Sequence, residues 1–336
     1  KREKMYKNFG QFYNGSWHQS FDKSTYEVIN PCNEEVIGDV SNAKPEDVDN
    51  ALKSAKKGFE NWKKTAPWER SKIIRKAADL IRENKETIAK WISLEVGKPL
   101  KESLAEVEGS AEIFEWNSEE TKRIFGQNIE SRFPTTKMSI YYQPIGVVAA
   151  LVPWNFPCML ASRKISTSLA AGCSVICKPD IITPGSVMSL VDIISKAGFP
   201  DGAINLLSGD PAKVSEQLIS SDIVKKVSIT GSTRVGKIIL KQAADKVQRV
   251  TMELSGHAPF IVYEDANVEK AVDVAMAAKY RNNGQVCISP SRFYIHEKIK
   301  SKFQDLFVKK TLKLKMGDAF SNPDLGPITT ERRLDD

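Results

Sequence analysis

Between residues 145 and 252 the chain alternates short apolar runs with amphipathic ones of helical length, and this constrains its fold more than any other feature. Residues 145–152 are continuously apolar. A strand wetted on one face would alternate, so this run reads as a strand buried on both faces, as in a parallel sheet. A helical run from about Cys158 to Ala171 stops at Gly172. Strand 174–177, helix 186–197 closed by Gly198, strand 203–207, helix 212–220, strand 226–229, helix 232–245 and strand 249–252 follow. Repetition of this kind predicts an α/β doubly wound parallel sheet, which binds ligands outside the carboxyl ends of its strands.

The flanks read differently. Residues 8–40 are short strands and turns, with a hairpin signal at Asn14-Gly15. Four helical stretches follow. The first puts Val48, Ala51, Leu52, Ala55, Phe59 and Trp62 on one face, the third stops at Gly97, and the fourth runs roughly over 104–125. Their aromatic residues are expected in the core. Between Gln127 and Gln143 two β-like runs flank Pro134-Thr135-Thr136. They predict a β-hairpin, read either as a projection whose edge pairs with another subunit or as a local surface feature. After residue 258 come strand 259–263, helix 268–280, a polar turn, strand 292–296, helix 298–314 and a loop-like end.

Charge and cysteine usage exclude several classes. Lys and Arg number 49 against 42 Asp and Glu, giving +7, but the signs are interspersed. Without a basic stripe carrying aromatics there is no nucleic-acid reading. No apolar run reaches the ~18–20 residues of a membrane span, and the charged stretch from Lys1 to Lys7 lacks the apolar centre of a secretory signal. Five cysteines without a Cys-x-x-Cys pair, and three histidines, argue against a zinc site and for a reducing, cytoplasmic setting.

One cysteine is out of place as a packing residue. Cys287 lies in the polar turn Arg281-Asn282-Asn283-Gly284-Gln285-Val286-Cys287-Ile288-Ser289-Pro290, where backbone N–H groups are free to face a reacting oxygen. Four strand ends are candidate partners. In Pro153-Trp154-Asn155-Phe156-Pro157 the Asn155 carboxamide is either an oxyanion donor or a turn residue. Lys178, in Lys178-Pro179-Asp180, reads as a ribose or phosphate ligand or as a surface lysine. Gly231 and Ser232 open a helix whose N-terminus suits a pyrophosphate. This stretch resembles a phosphate-binding loop, yet Ile238 stands where a magnesium-binding hydroxyl belongs, which disfavours an ATPase. Glu253 is either a general base or a solvated charge.

Taken in order, these motifs resemble the aldehyde dehydrogenase superfamily, from Asn14-Gly15-x-Trp17 to Gly284-Gln285-x-Cys287, with 153–157, Ala171-Gly172-Cys173, Lys178-Pro179, Thr230 to Gly236 and Glu253-Leu254 between. The resemblance implies that Cys287 is the nucleophile, that Asn155 and the Cys287 N–H steady the oxyanion, and that Glu253 activates the hydrolytic water. It implies NAD or NADP bound by Trp154, Asn155, Lys178, Pro179, Asp180, Ile181, Gly231, Ser232 and Leu254, and no metal. It also implies a dinucleotide-binding domain over 1–126 and 145–255, an oligomerisation hairpin over 127–144 that makes a homodimer or homotetramer, and a catalytic domain over 256–336. Family members continue past Asp336, so that last α/β domain is read as incomplete.

Within the superfamily, Trp116 to Ile124, Ala258 to Val262 and Lys279 to Asn282 look like succinate-semialdehyde dehydrogenases, implying that Arg163 and Arg281 hold a distal carboxylate. Arg163, two helical turns beyond Asn155, is expected on the same face and in the same pocket; the alternative is that either arginine only braces the fold. There are departures. Ile181 stands where NAD-preferring members carry a ribose-binding Glu, so the cofactor preference stays open. Ser255 replaces the first of two usual glycines, Gly209-Asp210-Pro211 replaces a usual Gly-x-Gly, and Ser289 stands where some relatives carry a second cysteine. The alternatives are a dehydrogenase for another aldehyde and a truncated, non-catalytic binding or structural form of the fold.

Overall fold

The computed structural model describes residues 5–335; the charged start at 1–4 and the final Asp336 lie outside the described residues. In chain order the elements are β1 (Gln11–Tyr13), β2 (Ser16–His18), β3 (Thr25–Ile29), β4 (Val36–Ser41), α1 (Pro45–Trp62), α2 (Pro67–Glu83), α3 (Lys85–Val96), α4 (Leu100–Glu120), β5 (Gln127–Glu130), β6 (Lys137–Ile140), β7 (Val147–Leu151), α5 (Pro157–Ala170), β8 (Ser174–Lys178), α6 (Pro184–Ser195), β9 (Ile204–Leu206), α7 (Pro211–Ser220), β10 (Val224–Gly231), α8 (Thr233–Ala244), β11 (Arg249–Leu254), β12 (Ala258–Val262), α9 (Val268–Tyr280), β13 (Pro290–Ile295), α10 (Glu297–Thr311) and α11 (Glu331–Asp335).

The expected doubly wound sheet is present. Its strand order is β11-β10-β7-β8-β9-β1-β2, parallel from β11 to β9, with β1 and β2 added antiparallel. The chain starts in the middle at β7, winds to β8 and β9 on one side, then returns to β10 and β11 on the other. The switch point therefore lies at the carboxyl end of β7, where such a sheet leaves a crevice. Alternate strand residues feed two cores. Ala150, Val175 and Cys177 join one with α2 to α6. Ala149, Leu151, Ile176, Val227 and Ile229 join the other with α1, α7 and α8. A separate cluster of Val262, Val268, Val272, Ala275 and Phe303 holds the parallel pair β12–β13 against α9 and α10.

Several expectations needed correction. The fourth helix begins at Leu100 and ends at Glu120, followed by a 3₁₀ turn over Thr121–Arg123. Its aromatics divide: Phe114 is buried with Val107 and Ala111, while Trp116, two residues on and so on the opposite side, is 66% exposed, as is Phe125 in the following loop at 70%. Strand β11 runs on to Leu254, so Glu253 sits within the strand, opposite Thr230 of β10, and not in the turn after it. The hairpin is formed by β5 and β6, which pair only with each other among the described residues; every residue of both strands is exposed.

Candidate active site

Paired residues in a parallel ladder face the same side. Glu253, opposite Thr230, therefore faces the α5 side of the sheet with Ser228, whereas Val227 and Ile229 point to the other core. The turn carrying Cys287 meets the sheet there. That turn is a 3₁₀ turn over Arg281–Gly284 in which Asn282 (φ 50°), Asn283 (φ 57°) and Gly284 (φ 78°) are all left-handed. Asn and Gly tolerate this region best, and side-chain bonds hold it. Asn283 donates to the Pro327 carbonyl at 2.9 Å and accepts from the Gly326 N–H at 2.7 Å. Gln285 accepts from the Thr329 N–H at 3.0 Å. The Asn282 N–H donates to Glu102 at 2.6 Å.

Two cavities meet at this turn. One, of ≈ 530 Å³, is lined by Trp154, Asn155, Lys178, Asp180, Gly231, Ser232, Leu254 and Ser255. The other, of ≈ 510 Å³, is lined by Arg163, Lys164, Lys226 and Arg281 together with the apolar Phe156, Met159, Leu160 and Ile288. Cys287 and Glu253 line both, with Thr230 and Val286. Most of the singled-out residues are thus brought together. Pro179 and Ile181 are not: Ile182 lines the first cavity in their stead, and Pro179 instead offers its carbonyl to Lys178 Nζ at 2.9 Å. Arg163 does not share a cavity with Asn155, because Asn155 precedes the first turn of α5 and faces the other chamber; it does share one with Cys287. Arg281 lies with its guanidinium 4.9 Å from the centre of the Phe156 ring.

The polar groups are poised in distinct ways. Cys287 is exposed, whereas Cys158, Cys173 and Cys177 are buried; burial pushes the Cys177 thiol up to about 12, so it stays protonated. The Cys287 N–H donates to no group among the described residues. Asn155 Nδ2 donates to the Gln285 carbonyl at 3.0 Å, which leaves its second amide proton for a ligand. Lys178 is 4% exposed, and burial brings its ammonium down to about 8 against the opposing pull of Asp180 and Asp210. Burial likewise brings Lys164 to about 8, with Cys177 and Glu253 opposing; its ammonium donates to Ser228 Oγ at 3.1 Å.

Four helix N-termini follow the parallel strands at this edge of the sheet, and three are occupied by the protein's own carboxylates. Glu106 of α4 accepts from the Cys158 and Met159 N–H groups at 3.0 and 3.2 Å, at the start of α5. Glu95 of α3 accepts from the Gly185 and Ser186 N–H groups at 2.7 and 2.8 Å, at the start of α6, and from the Tyr6 hydroxyl at 2.7 Å. Asp210 accepts from the Ala212 and Lys213 N–H groups at 2.9 and 3.1 Å, at the start of α7. At α8, Ser232 Oγ accepts from the Val235 N–H at 3.3 Å, and Ser232 and Arg234 line the first cavity. Of these four, the α8 terminus carries no carboxylate of the protein and is open to an anionic ligand, because a helix start leaves amide donors without intrahelical partners and carries a partial positive charge.

Sequence reasoning missed Lys98, Glu95, Glu106, Asn282 and Lys164. A lysine after a helix-stopping glycine reads as surface, and the carboxylates of α3 and α4 read as solvated. The usable signal was the Asn282-Asn283-Gly284 run, a compact cluster of residues suited to positive φ.

The model of the aldehyde dehydrogenase family matches residues 17–336. The mitochondrial succinate-semialdehyde dehydrogenase of Arabidopsis thaliana is 38% identical over 306 residues, which are 91% of this chain and 58% of that protein. The NADP(+) succinate-semialdehyde dehydrogenase GabD of Escherichia coli (strain K12) is 36% identical over 322 residues, 96% of this chain and 67% of its own length. The crystal structure of succinate-semialdehyde dehydrogenase from Burkholderia pseudomallei superposes with a TM-score of 0.95 at 36% identity, over 97% of this chain and 68% of that one. The chain thus spans roughly three fifths to two thirds of the length of these relatives. A match along almost all of its residues, on a sheet whose switch point carries an exposed cysteine, an amide donor and a carboxylate, means that the chain belongs to the aldehyde dehydrogenase family.

Proposed function

We propose that the protein oxidises an aldehyde that carries a distal carboxylate, with succinate semialdehyde giving succinate, using NAD or NADP. The observation that carries this reading is the shared wall: Cys287 and Glu253 line both a cavity fitted to a dinucleotide and a cavity bearing Arg163 and Arg281. The fit to the cofactor rests on the open α8 terminus and on Lys178 and Ser232 in the same cavity wall.

In this reading Cys287 Sγ attacks the aldehyde carbon. The oxygen that becomes charged accepts from the free Asn155 amide proton and the Cys287 N–H. A bound nicotinamide supplies the hydride acceptor through which the thiohemiacetal becomes a thioester. Glu253 takes a proton from a water molecule, which attacks the thioester carbon; the Cys287 thiolate leaves and the acid is released. Arg163 and Arg281 hold the far carboxylate through charge-assisted hydrogen bonds.

Residues 1–126 with 145–255 form the cofactor-binding unit in this reading, and 256–336 contribute the nucleophile; the separate core around Val272 and Phe303 supports that division. The hairpin over 127–144, with Ile129, Phe133, Met138 and Tyr141 exposed, serves a homo-oligomer, as a dimer or tetramer. The unpaired thiols suit a reducing compartment, the cytoplasm. No helix among the described residues is long and apolar enough to cross a membrane.

The test is a steady-state assay of the full-length protein with succinate semialdehyde and with butanal, each with NAD and NADP. Hydrogen bonds to charged groups contribute about 1.5–3 kcal/mol each, so kcat/KM for the semialdehyde should exceed that for butanal by at least about tenfold. Equal values would favour a dehydrogenase for neutral aldehydes. No NAD(P)H from any aldehyde would leave a binding or structural form.

A further inference from the structure

We infer that Lys98 is a positioning residue for the oxyanion site, acting through the peptide of Asn155; the inference rests on the cysteine chemistry proposed above. Lys98 follows Gly97, whose left-handed backbone (φ 80°) ends α3, and precedes Pro99 at the start of α4. That tight corner turns the side chain inward, and Lys98 is wholly buried. Its ammonium has three protons and three partners. It donates to Glu106 Oε2 at 2.6 Å and to the Asn155 carbonyl at 2.9 Å, and it lies 4.0 Å from the centre of the Phe156 ring.

The grip is two-sided. Glu106 uses its other oxygen to hold the Cys158 and Met159 N–H groups. Lys98 and Glu106 together therefore clamp the carbonyl before Phe156-Pro157 and the amides after it. The same Asn155 carbonyl accepts from Asn282 Nδ2 at 2.8 Å. Asn282 Nδ2 also reaches the Gln285 carbonyl at 3.2 Å, which is the acceptor of the Asn155 carboxamide. A closed ring results, in which both the backbone oxygen and the side-chain amide of Asn155 are fixed relative to the Cys287 turn. The direction of the remaining Asn155 amide proton follows from that ring.

A buried ion pair is weak evidence for stability, since an apolar pair of similar volume often packs as well. What an apolar pair cannot do is hold a carbonyl, a carboxylate and a ring face at one point. Misplacement of a catalytic donor by about 1 Å costs on the order of 10²-fold in rate, so the loss of this anchor is expected to appear in the steps that form an oxyanion.

The test is a double-mutant cycle in the full-length protein with Lys98→Met, Asn155→Ala and both. Three reactions of Cys287 are measured: the single-turnover burst of NAD(P)H with aldehyde, acylation by p-nitrophenyl acetate, and alkylation by iodoacetamide. In the second, Sγ attacks the ester carbonyl and p-nitrophenolate leaves through a tetrahedral oxyanion. In the third, Sγ displaces iodide from a saturated carbon and no oxyanion forms. Lys98→Met is expected to slow the first two by roughly 30- to 100-fold, and to leave alkylation and the NAD(P)H dissociation constant within about twofold. In the Asn155→Ala background it should add less than about threefold. Additive losses, or an equal loss of alkylation, would show that Lys98 only braces the fold and overturn the proposal. If Lys98→Met does not fold, Asn282→Gly, which tolerates the left-handed backbone, removes the other donor to the same carbonyl and enters the same cycle: non-additive losses with Asn155→Ala would support the carbonyl anchor through which Lys98 acts, and additive ones would overturn it. Absence of aldehyde oxidation by the unsubstituted protein would overturn the dehydrogenase reading instead, and the p-nitrophenyl acetate cycle would still decide the role of Lys98.

Discussion

Asn155 donates from its side-chain Nδ2 to the main-chain carbonyl of Gln285 at 3.0 Å, which ties the turn after β7 to the turn that carries Cys287. The proposed oxyanion donor and the turn of the proposed nucleophile, far apart in the sequence, are thus tied together by the fold itself. Removal of one such donor lowers kcat by about 10²–10³-fold in comparable sites. Asn155→Ala should therefore slow the NAD(P)H burst by that order and change KM by much less, as measured by stopped flow.

Glu253 lies on the wall between the two cavities, and its proposed work begins only after the thioester has formed. Glu253→Gln should leave a stoichiometric burst of NAD(P)H followed by turnover slowed by about 10²–10⁴-fold, the usual contribution of a positioned base. An acyl adduct on Cys287 should accumulate and be visible by intact-protein mass spectrometry. Loss of the burst itself would move Glu253 to an earlier step.

The two arginines make a specificity prediction. Arg163→Ala and Arg281→Ala should each reduce kcat/KM for succinate semialdehyde by about 10- to 100-fold, the scale of one charge-assisted hydrogen bond. Neither should alter kcat/KM for butanal by more than about threefold. Unchanged values for succinate semialdehyde in both variants would remove the carboxylate clamp.

Lys178 makes a pH prediction. Its ammonium is brought down to about 8, chiefly by burial, so it carries its charge below that pH and loses it above. Affinity for the anionic cofactor should therefore weaken as pH rises from 7 to 9, by up to about tenfold. Titration by NADPH fluorescence enhancement checks this. Lys178→Met should bind more weakly throughout and show a flat profile across that range.

Glu95 makes a stability prediction. Burial raises its carboxyl to about 7, above the ~4.3 of an unfolded glutamate. Between those values the folded protein holds a proton that the unfolded chain does not. The Glu95 contribution to stability is then greatest at the acid end and falls as pH rises, by a few kcal/mol at most. Glu95→Gln should flatten the dependence of Tm on pH between 5 and 8, as read by scanning calorimetry.

The legible parts were those encoded over short distances. The 145–252 alternation yields the sheet because each strand and helix is written in its own few residues, and Gly172 and Gly198 mark real stops. Asn155, Lys178 and Glu253 stand out in the sequence because strand ends are where such a sheet binds ligands, and Cys287 because a thiol in a polar turn is out of place as a packing residue; the structure sets all four around the same cavities. The bracing was not. Lys98 reaches Asn155, Glu106 reaches Cys158, and Glu95 reaches Ser186 only once the helices have packed across the sheet, and nothing in the local pattern of a charged residue says which way its helix will face. Trp116 failed for the same reason: an aromatic in a helix reads as core until the packing face is known. The helical period alone would set Arg163 in the pocket of Asn155; Arg163 lines the other cavity, because Asn155 precedes the first turn of α5 and lies outside its period.

Cys287 and Glu253 stand in the partition between two chambers of similar volume, ≈ 530 and ≈ 510 Å³. The consequence is kinetic. On the proposed reading, a molecule that fills one chamber leaves the other open, so cofactor and aldehyde need not displace each other. Dead-end inhibitors built for one side should be competitive with the ligand of that side and non-competitive with its counterpart, and a compound that bridges the partition should compete with both.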